Sequence, residues 1–199
     1  EGRSWELVAS RTGDDVAVLG LDVTEVTRER EANQAMQAIL AACGEAQTLA
    51  GLFETVHGAL GRLFDTTNFY VAMYDADTEL YSFPFSRDED DDDYTPQQLR
   101  ESLTDYVRRT GEPLFCDWDA HVRLGEAGEV AVIGAPGPLW LGVPLRTPTL
   151  GVFGVAVVQS YVDARAYTHE DLAQFDLVCK GISGAVYQLW SVENERAAR

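Results

Sequence analysis

Basic residues are scarce in this chain: its 199 residues carry 15 Lys and Arg against 33 Asp and Glu, giving a formal net charge of -18 and a pI near 4.3. Such a surface repels phosphate backbones and anionic lipid, so neither nucleic acid nor a membrane surface is an expected partner. No apolar run approaches the roughly 18 to 20 residues needed to span a bilayer, and no signal-peptide pattern opens the sequence. Cysteine is also sparse. Cys43, Cys116 and Cys179 are odd in number, far apart and without C-x-x-C spacing, which fits a reducing, cytoplasmic compartment better than a disulfide scaffold. The three histidines, His57, His121 and His169, have no metal-spaced partners, so no metal site is expected. What the chain does have is apolar and aromatic: 46% hydrophobic residues with four Trp, eight Tyr and eight Phe, ample for a core.

The most regular stretch is Trp140-Leu141-Gly142-Val143-Pro144-Leu145 followed, across Arg146-Thr147-Pro148-Thr149, by residues 150–161. Two β-rich runs with so tight a connection predict an antiparallel hairpin at the centre of a buried sheet. Thr168 then stands before His169-Glu170-Asp171, an N-cap with acidic residues in the first turn, predicting a long terminal helix. Upstream, Ala35, Met36, Ile39, Leu40 and Cys43 recur at helical spacing and predict an entering helix over about 26–46, with a second from Leu49 to Phe64. Residues 5–11 and 16–23 read as a hairpin around Thr12-Gly13-Asp14-Asp15, and 69–74 and 80–85 as another. The carboxylate run from Asp88 to Asp93 self-repels and belongs in solvent; without a turn glycine it does not read as a calcium loop. Thr95-Pro96-Gln97-Gln98 predicts a cap and first turn for a helix through about Arg109, stopped by Gly111. A short strand at 112–116 and a short helix or loop at 117–128 follow, and the Gly- and Pro-rich residues 133–138 are too irregular for either element.

This order, with the motifs WLGVPL, GVFGVAVVQSY and YTHEDL, resembles the C-terminal half of a GAF domain, and more loosely the resemblance runs from about Thr48 to Gln188. Gly20-Leu21-Asp22-Val23-Thr24-Glu25 resembles the exit of a PAS domain, where an Asp-hydrophobic-Thr triplet joins the sheet to a signalling helix. The resemblance implies an α+β fold: a GAF-like antiparallel sheet of five or six strands with helices on both faces and long helices entering and leaving. It also implies an organisation, with the hairpin of a truncated PAS-like domain at 1–25, a signalling helix at 26–47, the GAF domain at 48–190 and an exit helix at 191–199 toward an output domain. The absence of an initiator Met supports reading the chain as a segment of a longer protein of the histidine kinase or diguanylate cyclase type. The implied role is non-catalytic sensing or relay. A ligand-free dimerisation relay is the alternative, and a GAF-type methionine sulfoxide reductase a third. Cys116 is followed by Asp117 rather than by the His of bilin-attaching relatives, Cys43 and Cys179 fall on long helices away from it, and the Asn-Lys-Phe type of cyclic-nucleotide signature is absent.

Alternation along 150–161 puts Val152, Gly154, Ala156, Val158 and Ser160 on one face and Phe153, Val155, Val157, Gln159 and Tyr161 on the other. The small face is expected beneath the long helices and the bulky face toward a pocket in the region where GAF domains close over a ligand. Its expected walls are Phe83, Trp118, His121, Trp140 and Tyr161, around an unidentified small molecule and no other cofactor. Leu172, Phe175, Cys179, Ile182, Val186 and Leu189 follow a/d spacing. With the entering helix they suggest a homodimer through Met36, Leu40, Cys43, Ile182, Val186 and Leu189, although a helix packed on its own sheet shows nearly the same spacing.

Overall fold

The computed structural model describes residues 4–12, 15–88, 95–131 and 137–197. The turn at Gly13 and Asp14, the acidic run after Asp88 and the Gly- and Pro-rich residues before Gly137 lie outside them. The chain runs β1 (Trp5–Thr12), β2 (Asp15–Asp22), α1 (Thr24–Glu45), α2 (Leu49–Leu60), β3 (Asn68–Asp75), β4 (Leu80–Arg87), α3 (Leu103–Thr110), β5 (Leu114–Asp117), α4 (Trp118–Glu126), β6 (Leu139–Thr147), β7 (Gly151–Ser160) and α5 (His169–Ala197). Strands β3 to β7 form one antiparallel sheet in the order β4-β3-β7-β6-β5, while β1 and β2 make a separate two-stranded sheet. The predicted hairpin is β6–β7, and β7 lies at the centre of the larger sheet.

Local chemistry fixes the helix ends. At α5 the Thr168 hydroxyl accepts from the Asp171 amide (3.2 Å) while the Asp171 carboxylate accepts from the Thr168 amide (2.7 Å), a reciprocal cap. Thr48 caps α2 in the same sense through the Gly51 amide, and the carboxylate of Glu193, near the far end of α5, accepts from the Leu49 amide at 2.9 Å. Helices α2 and α5 cover one face of the sheet, where Phe53, Phe69, Phe175, Ile182 and Val186 are buried. On the other face α3 and α4 enclose a smaller apolar cluster of Val107, Cys116, Trp140, Val155 and Val157.

Two expectations are corrected. Helix α3 begins seven residues later than its Thr-Pro-Gln-Gln signal implies: Ser102, not Thr95, is its cap, accepting from the Asp105 amide at 3.0 Å. Gln97 is instead drawn to the open edge of β4, exchanging backbone hydrogen bonds with Tyr81 (2.8 and 3.0 Å), and Glu101 at φ 63° interrupts any continuous helix. Second, Phe153 points to the helical face, against Tyr187 and Trp190 of α5. The register of β6 against β7 shifts between Leu145 and Arg146, so Leu145 opposes Gly154 and Arg146 opposes Val152. Phe153 is the extra residue of that bulge, which turns it out of strict alternation and leaves Val152 beside Gly111 at the end of α3. Ile182 and Val186 are buried within this chain, where the seam of α5 packs on its own sheet, the packing that its spacing also allows. Each such aliphatic side chain is worth about 1.5–3 kcal/mol where it lies. Met36, Cys43 and Leu189 are partly buried against the same core, and only Leu40 of the six projects into solvent, 58% exposed.

Candidate functional site

The bulky face of the sheet carries the polar strand ends that the core-facing side cannot hold. Strands β3, β6 and β7 bring Tyr70, Trp140 and Gln159 to it, α4 adds Trp118 and His121, and the turn before α3 adds Arg100 and Glu101. Together with Cys116, Thr104 and Tyr161 they enclose a cavity of about 410 Å³, within the usual range of small-molecule sites.

Each wall is held by identifiable contacts. Asp117 caps α4 by accepting from the Ala120 amide at 2.7 Å, which sets the helix so that Trp118 and His121, three residues apart, turn toward the sheet. The two rings meet edge-on with centroids 6.0 Å apart. Tyr70 and Thr104 share a hydroxyl hydrogen bond at 2.8 Å, tying the sheet to α3. Gln159 donates to the Tyr161 hydroxyl (2.6 Å) and to the carboxylate of Asp88 (2.8 Å), and Tyr161 donates to the same Asp88 oxygen. Trp140 lies flat along its own strand: a Cβ on Gly142 would fall 2.2 Å from the indole ring, so the missing side chain of Gly142 is what makes room for it. The position of α3 is set by Asp105, which accepts from Tyr81 (2.6 Å), Arg108 (2.8 Å) and Arg109 (3.0 Å). Burial works to raise the Asp105 carboxyl, but the hydrogen bonds from Tyr81 and Arg108 outweigh it and hold the group below its ordinary value. Burial pushes the Tyr81 phenol well up, in the same direction as the neighbouring carboxylate.

Two polar groups of the cavity lack partners. His121 and Trp140 are each only 7% exposed, and neither makes a hydrogen bond among the described residues. Their ring nitrogens are not sealed in protein, since among the described residues Asp176 Oδ1 is the one buried side-chain polar atom without a partner; they are open to the cavity.

No family model matches the chain, and no curated protein matches it. Solved structures do. The GAF domain of a phosphoenolpyruvate-protein phosphotransferase from Coxiella burnetii superposes with a TM-score of 0.64 at 14% identity, over 83% of this chain and 98% of that one. The chain has the GAF fold. A free methionine-R-sulfoxide reductase from Neisseria meningitidis, solved with its substrate, is similar at TM-score 0.63 and 12% identity (81% and 91% covered). A methyl-accepting chemotaxis protein is similar at 0.57 and 13% (76% and 96%). GAF folds therefore serve signalling proteins and an enzyme alike.

In this GAF fold the structure gathers Trp118, His121, Trp140 and Tyr161 around one cavity and leaves Phe83 out. Phe83 is on β4, at the sheet edge, and packs its ring on Tyr70, which stands between it and the cavity. Tyr70, Arg100, Glu101, Thr104 and Gln159 are among the lining residues that sequence reasoning did not single out. The alternation that flagged Tyr161 had placed Gln159 on the same face, and Tyr70 follows from β3 pairing directly with β7.

The chemistry available is limited. Cys116 lines the cavity, but burial, with the Asp117 carboxylate adding to it, pushes its thiol up to about 12. Thiolate, the nucleophilic form, is then a minute fraction at neutral pH. Cys179 is buried on the opposite face of the sheet, with its thiol raised well above the ordinary value, and Cys43 is on α1. The cavity thus has one thiol and no second to resolve it among the described residues. No His, Cys, Asp and Glu cluster able to hold a metal occurs among the described residues, and no helix there is long and apolar enough to cross a membrane.

Proposed function

We propose that this chain is a non-catalytic sensory GAF module that binds a small molecule in the cavity between α3, α4 and the sheet. The observation that carries the reading is the cavity of about 410 Å³ itself, lined by Trp118, Trp140 and Tyr161, with the ring nitrogens of His121 and Trp140 open to it and unpaired among the described residues. A relay module would fill the space with its own side chains. The protonated, singly placed Cys116 supports the non-catalytic reading over that of a methionine sulfoxide reductase, which needs a resolving thiol. The parent protein is read as a cytoplasmic signalling protein of the histidine kinase or diguanylate cyclase type, with a PAS-like domain before α1, an output domain after α5, and a second copy meeting it along the outward side of α1. The cap from Glu193 on α5 to the first turn of α2 supports α5 as the signal's exit, since it joins the end of that helix directly to the sheet-packed core.

Two measurements test the proposal. A low-molecular-mass extract of the source cells should raise the melting temperature of the chain. Ligand at about 100 times its Kd adds about 2.7 kcal/mol, which for a chain of this size corresponds to about 5–10 °C. Free methionine sulfoxide should be reduced no faster by the chain than by buffer with the same reductant. No thermal shift from any fraction would leave the relay reading, and turnover abolished by Cys116→Ser would make the chain an enzyme.

A further inference from the structure

The charge and ring content of the cavity narrow its ligand. Indole rings line it from two sides, Trp140 on the sheet and Trp118 on α4, with Tyr70 and Tyr161 between. Two carboxylates, Glu101 and Asp117, stand on the wall, and a third, Asp88, is directly behind Gln159 and Tyr161, accepting from both. Among the described lining residues the one guanidinium, Arg100, is already ion-paired with Glu79. Glu101 is held there at a backbone φ of 63°, outside the range that a Glu ordinarily adopts, and its carbonyl accepts from the Ala131 amide at 2.7 Å. Around all of this the molecule carries a net charge of -18, which concentrates cations and disfavours anions at any cleft.

We propose that the cavity selects a small organic cation, an alkylated ammonium that also bears a hydroxyl or carbonyl oxygen. This rests on the sensing reading above and names the ligand class for that same site. The aromatic faces attract the cationic head through their quadrupoles, an attraction that grows once the head is desolvated. The carboxylates supply the countercharge. The oxygen accepts from the Trp140 indole N–H, the donor that has no partner among the described residues, and the His121 ring pairs with the ligand's remaining polar hydrogen. Phosphorylated and carboxylate ligands find no uncommitted cation among the described walls.

The test is calorimetric titration of the intact chain with choline and with its uncharged isostere 3,3-dimethylbutan-1-ol, which differs only by carbon for nitrogen. Choline should bind at least about tenfold more tightly than the isostere, and Trp118→Leu should weaken choline about tenfold. Trp118 is 44% exposed, so its loss should leave the fold intact, with a circular dichroism spectrum like that of the wild type as the check. Glu101→Gln should weaken choline and flatten its dependence on salt, without changing isostere binding. Equal binding of the two compounds would overturn the cation assignment while the sensing reading stood. Absence of choline binding alongside a thermal shift from the cell extract would do the same. Absence of both would overturn the two readings together.

Discussion

The geometry around Trp140 depends on one missing side chain. Gly142 lies two residues along β6, on the same face, and the indole occupies the volume where its Cβ would be. Gly142→Ala is therefore expected to displace the ring and cost about 1–3 kcal/mol, the usual penalty of overpacking. Urea unfolding reads the loss, and an altered tryptophan emission spectrum reads the displacement. Unchanged stability and emission would mean that the ring has another resting place. At this scale the sequence was partly legible. Trp118, His121, Trp140 and Tyr161 converge because each is an aromatic or titratable residue next to a cap, a strand or a turn that could be read locally. The dependence on Gly142 was not readable, because a glycine in a strand signals close approach without saying what approaches. Phe83 was misplaced because a residue's distance from the cavity is set by strand order, a non-local property.

Among the elements, α3 has the least local support, since its sequence start signal is overridden by strand pairing. What holds it is Asp105, through Tyr81 on β4 and the two arginines of its own helix. Asp105→Ala leaves Arg108 without its carboxylate in a partly buried setting and is expected to cost about 1.5–3 kcal/mol, the value of hydrogen bonds to charged groups. The wild type also predicts its own acid dependence. The folded-state pKa of Asp105 is lowered, so its contribution is present in full above the ordinary carboxylate value of about 4 and is lost as pH falls through the lower, folded value. Denaturant midpoints measured between neutral pH and strong acid should therefore show a smaller acid loss in Asp105→Ala than in wild type; parallel curves would assign no role to the network. The hairpin, the cap of α5 and the Gly111 stop were legible from the residues themselves, since a cap is a contact within three or four positions. The bulge at Phe153 was not, because alternation assumes unbroken pairing and only the partner strand reveals the extra residue.

The molecule as a whole was legible in its class: the motifs of its C-terminal half and the α-β order led to the GAF fold that the structure shows. The use of its helical faces was not, since a core-facing helix and a coiled-coil seam share nearly one spacing. With Ile182 and Val186 committed to the core, a second copy has the outward side of α1, and the exposed β1–β2 hairpin with Trp5, Leu7 and Leu19, to meet. Light scattering should give twice the 21.9 kDa chain mass for wild type and a single chain mass for Leu40→Glu. A wild-type monomer would end the dimer proposal. Ile182→Glu, by contrast, should unfold the chain, because it buries a charge without a partner. Whether the cavity holds a ligand, as proposed, is read by native mass spectrometry of the chain purified from its own source cells. A filled cavity should give a non-covalent adduct of small-molecule mass, released on mild activation and absent from Gly142→Ala, in which the Trp140 wall is displaced. A wild-type spectrum showing the bare chain mass alone, with and without added cell extract, would contradict it.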